Sequence, residues 1–338
     1  MFEVAPNLWL QSFATPMLHW CMLAVTTLGY DWFYLLLIVV LGFGLRLRPA
    51  LGVMLALLLA GLLTHSIKAG FEMPRPSDVD VRVLNKGEPH VPLVAHGGAD
   101  HFLGLPSAEA RAAIRATPDP DYGFISGHVA AATAMCLGLL LCFRIRKHAL
   151  WVALGTWPVL MALSRMYLGR HFLGDALGGL LAGGSMALLA AWLVPQETPS
   201  RVSRNRLGIL AIVTIALCLL MPLTSLVDGS SLGKLAGLVV VLIMLQWQGF
   251  PDDGGTLAQR AGRVACICLV YLGGKLSVRA LTGAASWDGD SQVWFLMAMA
   301  MATTAMVFLG GIALAKSLGL FRKNIGAATQ PRSATQRV

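Results

Sequence analysis

Three short stretches carry residue types suited to handling phosphate: Lys68-x6-Arg75-Pro76, Ser126-Gly127-His128 and Ser164-Arg165-x5-His171-x3-Asp175. Together they supply three cations, two histidines and a carboxylate, all at or near the ends of apolar segments. Charge is costly there and usually marks a functional site. His171 and Asp175 are four residues apart, so on a helix they share a face. A carboxylate in that position can accept the imidazole Nδ1–H and leave Nε2 as a directed nucleophile, with the logic of base and orienter in a catalytic triad. Arg165 offers a planar fork matched to a pair of phosphoryl oxygens. The bland alternative for this stretch is an interfacial His–Asp pair beside an arginine snorkelling to the headgroups.

The other two stretches need helix ends to position them. Ser126-Gly127-His128 stands where an apolar segment begins, and a helix N-terminus there presents unpaired backbone N–H groups to an anion. Gly127 permits close backbone approach, and His128 could protonate a departing oxygen. Taken alone, the tripeptide reads better as an ordinary serine cap with a histidine beside it. Lys68 closes the preceding apolar run. If that helix continues to about Glu72, Lys68 faces the following loop, and Pro74 and Pro76 fix the approach of Arg75.

Composition sets these ends at a membrane. The chain has 338 residues, of which 56% are apolar and 13% charged, and its mean hydropathy is +0.68. Soluble domains carry about 25% charged residues. The expected fold class is all-α: a polytopic transmembrane helical bundle with spans near 10–29, 32–46, 49–68, 126–143, 149–165, 172–194, 207–227, 232–249, 263–281 and 293–316. The net charge of +9 is assigned to the positive-inside bias and not to nucleic acid, since Arg46, Arg48, Arg144, Arg146, Lys147, Arg201, Arg204, Arg206, Arg260, Arg263, Lys316, Arg322 and Lys323 all fall on one face of such a bundle. With both termini cytoplasmic, loop 69–125 and all three stretches open to the opposite side. The expected setting is a bacterial plasma membrane with an extracytoplasmic site. Within the loop, residues 107–116 suit a short helix capped by Ser107, and the segment reads as a lid or headgroup contact. His96, Asp100 and His101 resemble a metal site only superficially, because their segment lacks preorganisation.

With the three stretches combined, the sequence resembles the type-2 phosphatidic acid phosphatase superfamily, whose pattern is K-x6-RP, PSGH and SR-x5-H-x3-D. The resemblance covers about residues 10–195. It implies a six-span phosphatase core over residues 1–200, an additional four-span region over 201–320 that it says nothing about, and a basic tail over 321–338 read as disordered. By position it implies that His171 is the nucleophile, Asp175 its orienter and His128 the general acid. Lys68, Arg75, Ser126, Gly127 and Arg165 would bind phosphate. Ile125 stands where the family usually has proline. The implied activity is hydrolysis of a lipid phosphate or diphosphate through a phosphohistidine, with no metal or other cofactor and with membrane lipids as surroundings. A phosphotransferase on the same scaffold is the alternative. An intramembrane serine protease and a transporter are remote ones, since neither accounts for the three cations. Lys275 and Arg279, four apart in the ninth span, are candidate headgroup contacts with interfacial snorkelling as the competing role.

Overall fold

The computed structural model describes residues 1–86, 91–194, 201–221, 224, 226–284 and 290–322, without the side chains of 201–203, 281–284 and 290–291. The basic tail from residue 323 onward lies outside the described residues. The described elements are α1 (Ala5–Ser12), α2 (Pro16–Thr27), α3 (Asp31–Gly44), α4 (Leu47–Phe71), α5 (Pro76–Val79), α6 (Ala108–Ala116), α7 (Gly127–Cys142), α8 (His148–Tyr167), α9 (Leu173–Leu193), α10 (Arg201–Leu220), α11 (Gly229–Gln248), α12 (Leu257–Ala284) and α13 (Asp290–Ser317). No strand occurs among the described residues; one isolated bridge pairs Asp80 with His96. The chain is an all-α helical bundle, as expected. Among the described residues, six helices (α4, α8, α9, α11, α12 and α13) have the length and hydropathy to cross a membrane, which makes this a membrane protein.

The count of ten spans needs correction at the N-terminal end. Residues 10–46 do not form two passages. At about 1.5 Å per residue, α1 and α2, of 8 and 12 residues, are too short to cross. Instead α2 and α3 form a pair bent by 58°. Its start lies at the site end, where His19 packs near Tyr167. Its far end meets the opposite loop, where the N–H of Leu47 donates to Asp253 Oδ1 at 3.2 Å. One broken passage therefore replaces two, and the two ends of the chain part company. Residues 1–12 lie on the site end, whereas Leu320 and Phe321 lie at the opposite end, against Gly262 and Arg263. The expectation placed the N-terminus on the face opposite the site; residues 1–12 lie at the site end instead. Arg48, Arg206 and Arg263 stand at the opposite end, over Phe250, Trp192 and Phe321.

Two helix groups make up the bundle. The first packs α4, α7, α8 and α9 together, and the second packs α10, α11, α12 and α13; α3 and α4 join them. Both groups use glycines to bring backbones close. A Cβ at Gly183 on α9 would lie 2.2 Å from the Ala130 carbonyl of α7, and one at Gly237 on α11 would lie 2.5 Å from the Met301 carbonyl of α13. Such small-residue crossings suit membranes, where packing and not the hydrophobic effect must hold helices together. Of the cysteines, Cys136, Cys142 and Cys266 are buried, while Cys21 is exposed.

Candidate active site

The site forms where four helix ends meet loop 72–126. α4 runs on to Phe71, and Glu72 ends it in the left-handed conformation (φ 51°). Lys68 thus sits in the last helical turn, as the longer-helix expectation required. Its Nζ donates to the Tyr122 carbonyl at 2.6 Å and lies 3.9 Å from Asp121 Oδ1. Arg75 caps α5: its N–H donates to Asp78 Oδ2 at 2.6 Å, and its guanidinium forms an ion pair with Asp121 Oδ2. The strap 121–123 is tied down by the Gly123 N–H, which donates to the Met73 carbonyl at 2.7 Å. A side chain at 123 would strike the Pro74 carbonyl, so this close approach requires glycine.

His171 lies in the short turn between α8 and α9, and Asp175 in the first turn of α9. Both are buried, at 1% and 0% exposure. The distance from His171 Nδ1 to Asp175 Oδ2 is 3.3 Å. The same oxygen accepts the Phe172 N–H at 2.8 Å, so one carboxylate both caps α9 and orients the imidazole. Burial, followed by the nearby cations Arg165, Lys68 and Arg75, holds the His171 imidazole well below its ordinary pKa. The ring is therefore neutral at neutral pH. With Asp175 as acceptor its proton belongs on Nδ1, which leaves the Nε2 lone pair available for attack.

Ser126 precedes α7, but its hydroxyl makes no cap hydrogen bond. Ser126 is fully buried, and its Oγ has no partner among the described residues. Ser107, by contrast, caps α6 as expected, accepting the Ala110 N–H at 3.1 Å. The Ser126 backbone is anchored instead, its N–H donating to the Asp175 carbonyl at 2.9 Å. That bond ties the second stretch to the third. His128 Nε2 and Arg165 Nε are likewise buried without a partner among the described residues. Unpaired buried polar atoms are costly, and a cluster of them beside cations fits a polar ligand. Ile125 is buried against Gly178, so the residue in the proline position serves the α7–α9 packing.

Lys68, Arg75, Ser126, Gly127, His128, Arg165, His171 and Asp175 thus come together. Lys275 and Arg279 do not join them. Both are exposed on α12, which packs mainly on α3 and α13. His96 approaches Asp80, with Nδ1 to Oδ2 at 3.7 Å.

Sequence reading missed three contributors, all N-terminal. Asn7 is fully buried and donates from Nδ2 to the carbonyls of Met166 (2.9 Å) and His171 (3.0 Å). Gln11 donates to the Tyr167 carbonyl at 3.0 Å and to that of Leu84 at 2.7 Å. The two amides clamp the turn that carries His171. Tyr30, at the α2–α3 bend, stands edge-on to the His128 ring at 5.1 Å. The neighbouring Gly29 leaves no room for a Cβ, which would fall 2.7 Å from His128 Cδ2. No periodicity signal marks these residues; the short apolar stretch before Pro16 only looked like the start of a span.

The family model described as PAP2 superfamily matches residues 49–199. It omits the N-terminal 48 residues that clamp the site. No curated protein and no solved structure matches the chain.

Proposed function

We propose that this chain hydrolyses a lipid phosphate or diphosphate by way of a phosphohistidine on His171, since residues 49–199 match the model of the PAP2 superfamily, a family of phosphatase-type hydrolases. The observation that carries this reading is the convergence of Lys68, Arg75 and Arg165 on a buried His171 whose Nδ1 lies 3.3 Å from Asp175 Oδ2. Nucleophile and phosphate-binding groups then face one volume.

In the proposed reaction the three cations and the backbone N–H groups opening α7 receive the phosphoryl oxygens. Charge spreads over those oxygens in the transition state, and fixed donors lower its energy. His171 Nε2 attacks phosphorus in line; the P–N bond forms as the P–O bond to the lipid breaks. The departing oxygen takes a proton from His128. Water then attacks the phosphohistidine, giving its proton to His128, and orthophosphate leaves with His171 restored. Asp175 steadies the imidazole as positive charge builds on it. The site opens at the end of the bundle opposite the basic residues, so the reading places it on the extracytoplasmic side. Substrate enters sideways from that leaflet with its tail still in lipid.

The test is phosphate release by the detergent-solubilised protein with EDTA present, across phosphatidate, phosphatidylglycerophosphate, a polyprenyl diphosphate and a lipid A phosphate. At least one should be turned over, and labelled substrate should leave an acid-labile phosphoenzyme. Absence of release from every lipid phosphate would overturn the reading.

A further inference from the structure

Asp121 pairs with two of the site's proposed phosphate-binding cations. Its Oδ2 pairs with the Arg75 guanidinium, its Oδ1 lies 3.9 Å from Lys68 Nζ, and its charge also acts on Arg165. These are the three cations assigned to the phosphoryl group. The pairing is lopsided in exposure. The Arg75 and Lys68 side chains are 10% and 23% exposed, whereas that of Asp121 is 69% exposed. The cations are thus fixed in the wall, and the carboxylate reaches them from the water side. Its strap is held just beyond, through the Tyr122 carbonyl on Lys68 and the Gly123 N–H on Met73, so the carboxylate can swing out without unseating the strap.

We propose that the Asp121 carboxylate occupies the seat of the phosphoryl group as an internal competitor that weakens the hold of the site on free orthophosphate, while phosphate esters anchored by a tail in the membrane still fill it. The argument rests on the phosphatase reading above. Any phosphoryl group must displace Asp121 from Arg75 and Lys68, and that cost is the same for ester and orthophosphate. The ester offsets it, because its tail stays in the bilayer beside the site and keeps its local concentration high. Orthophosphate has no such anchor and meets the competition in full. The carboxylate therefore returns as product leaves, and it limits inhibition by orthophosphate in the surrounding water.

The experiment measures the dissociation constant of orthophosphate by titration calorimetry on the full-length protein in detergent. Asp121→Asn and Asp121→Ala should each tighten orthophosphate roughly three- to fivefold, the span of an exposed ion pair. Asp121→Glu keeps the charge and should stay within about a factor of two of wild type on the same scale. Unchanged or weaker binding in both charge-free variants, while Arg75→Ala still weakens binding, sinks the role of Asp121 and leaves the phosphatase site standing. Orthophosphate binding indifferent to Arg75→Ala removes the phosphate site itself, and the proposal with it.

Discussion

The two helix groups pack alike and differ in what they bury. In both, a glycine pair four residues apart lets helices touch through their backbones: Gly179 and Gly183 against α7, Gly233 and Gly237 against α13. Yet the first group buries Ser126, Ser164, Arg165, His171 and Asp175, with Arg75 at its edge, whereas the buried polar side chains described in the second are Thr214 and Arg263. Arg263 is accounted for structurally. It donates to the Asp253 carbonyl at 3.0 Å and lies under the Phe321 ring at 5.0 Å, fastening the end opposite the site. Close packing is thus common to both helix groups, and buried ionisable groups brought to one point distinguish the group that holds the candidate site.

Substitutions can break or sharpen that contrast. The largest effect is expected in the first group. His171→Ala removes the nucleophile and should lower kcat by about 10⁴–10⁶, while Asp175→Asn should cost about 10²–10⁴ through the lost tautomer preference. Steady-state phosphate release reads both, and activity above a tenth of wild type in His171→Ala would remove it from the mechanism. Next come the glycines. Gly183→Ala and Gly237→Ala each force a methyl against a backbone carbonyl and should lower stability by roughly 1–3 kcal/mol in detergent thermal unfolding. Only Gly183→Ala should also slow turnover, by about tenfold or more, because α7 and α9 carry the two halves of the site. Equal rate losses in both would mean that the second group helps to shape the site. The smallest effect is expected of Lys275→Ala with Arg279→Ala: kcat/KM within about twofold of wild type, since exposed interfacial cations contribute little. A larger rise in KM would restore them as headgroup contacts.

Much of the site was legible in the sequence because its parts are local. The His171-x3-Asp175 spacing implies a shared face, and the structure keeps it; Ser107 caps α6 because a serine before a helical run has few better uses. The passage count failed for an equally local reason. Hydropathy windows register apolar length but not the break near Gly29–Tyr30, so residues 10–46 looked like two spans when α2 and α3 make one bent passage. Ser126 shows the limit from the other side: its type suggests a cap, and only the fold shows its hydroxyl left unbonded.

Composition and motif by themselves determined that this chain lies in a membrane, that its basic residues collect at one end, and which eight residues could handle phosphate. These follow from transfer energies and short-range geometry, which neighbouring residues in the chain already express. The tertiary structure alone decided which side of the bundle residues 1–12 occupy, that Asn7 holds the His171 turn across 164 positions of sequence, that Tyr30 stands over His128, and that Asp121 rests on the phosphate cations. Contacts at such separations depend on how helices pack and where loops return, and no local pattern of residue types encodes them.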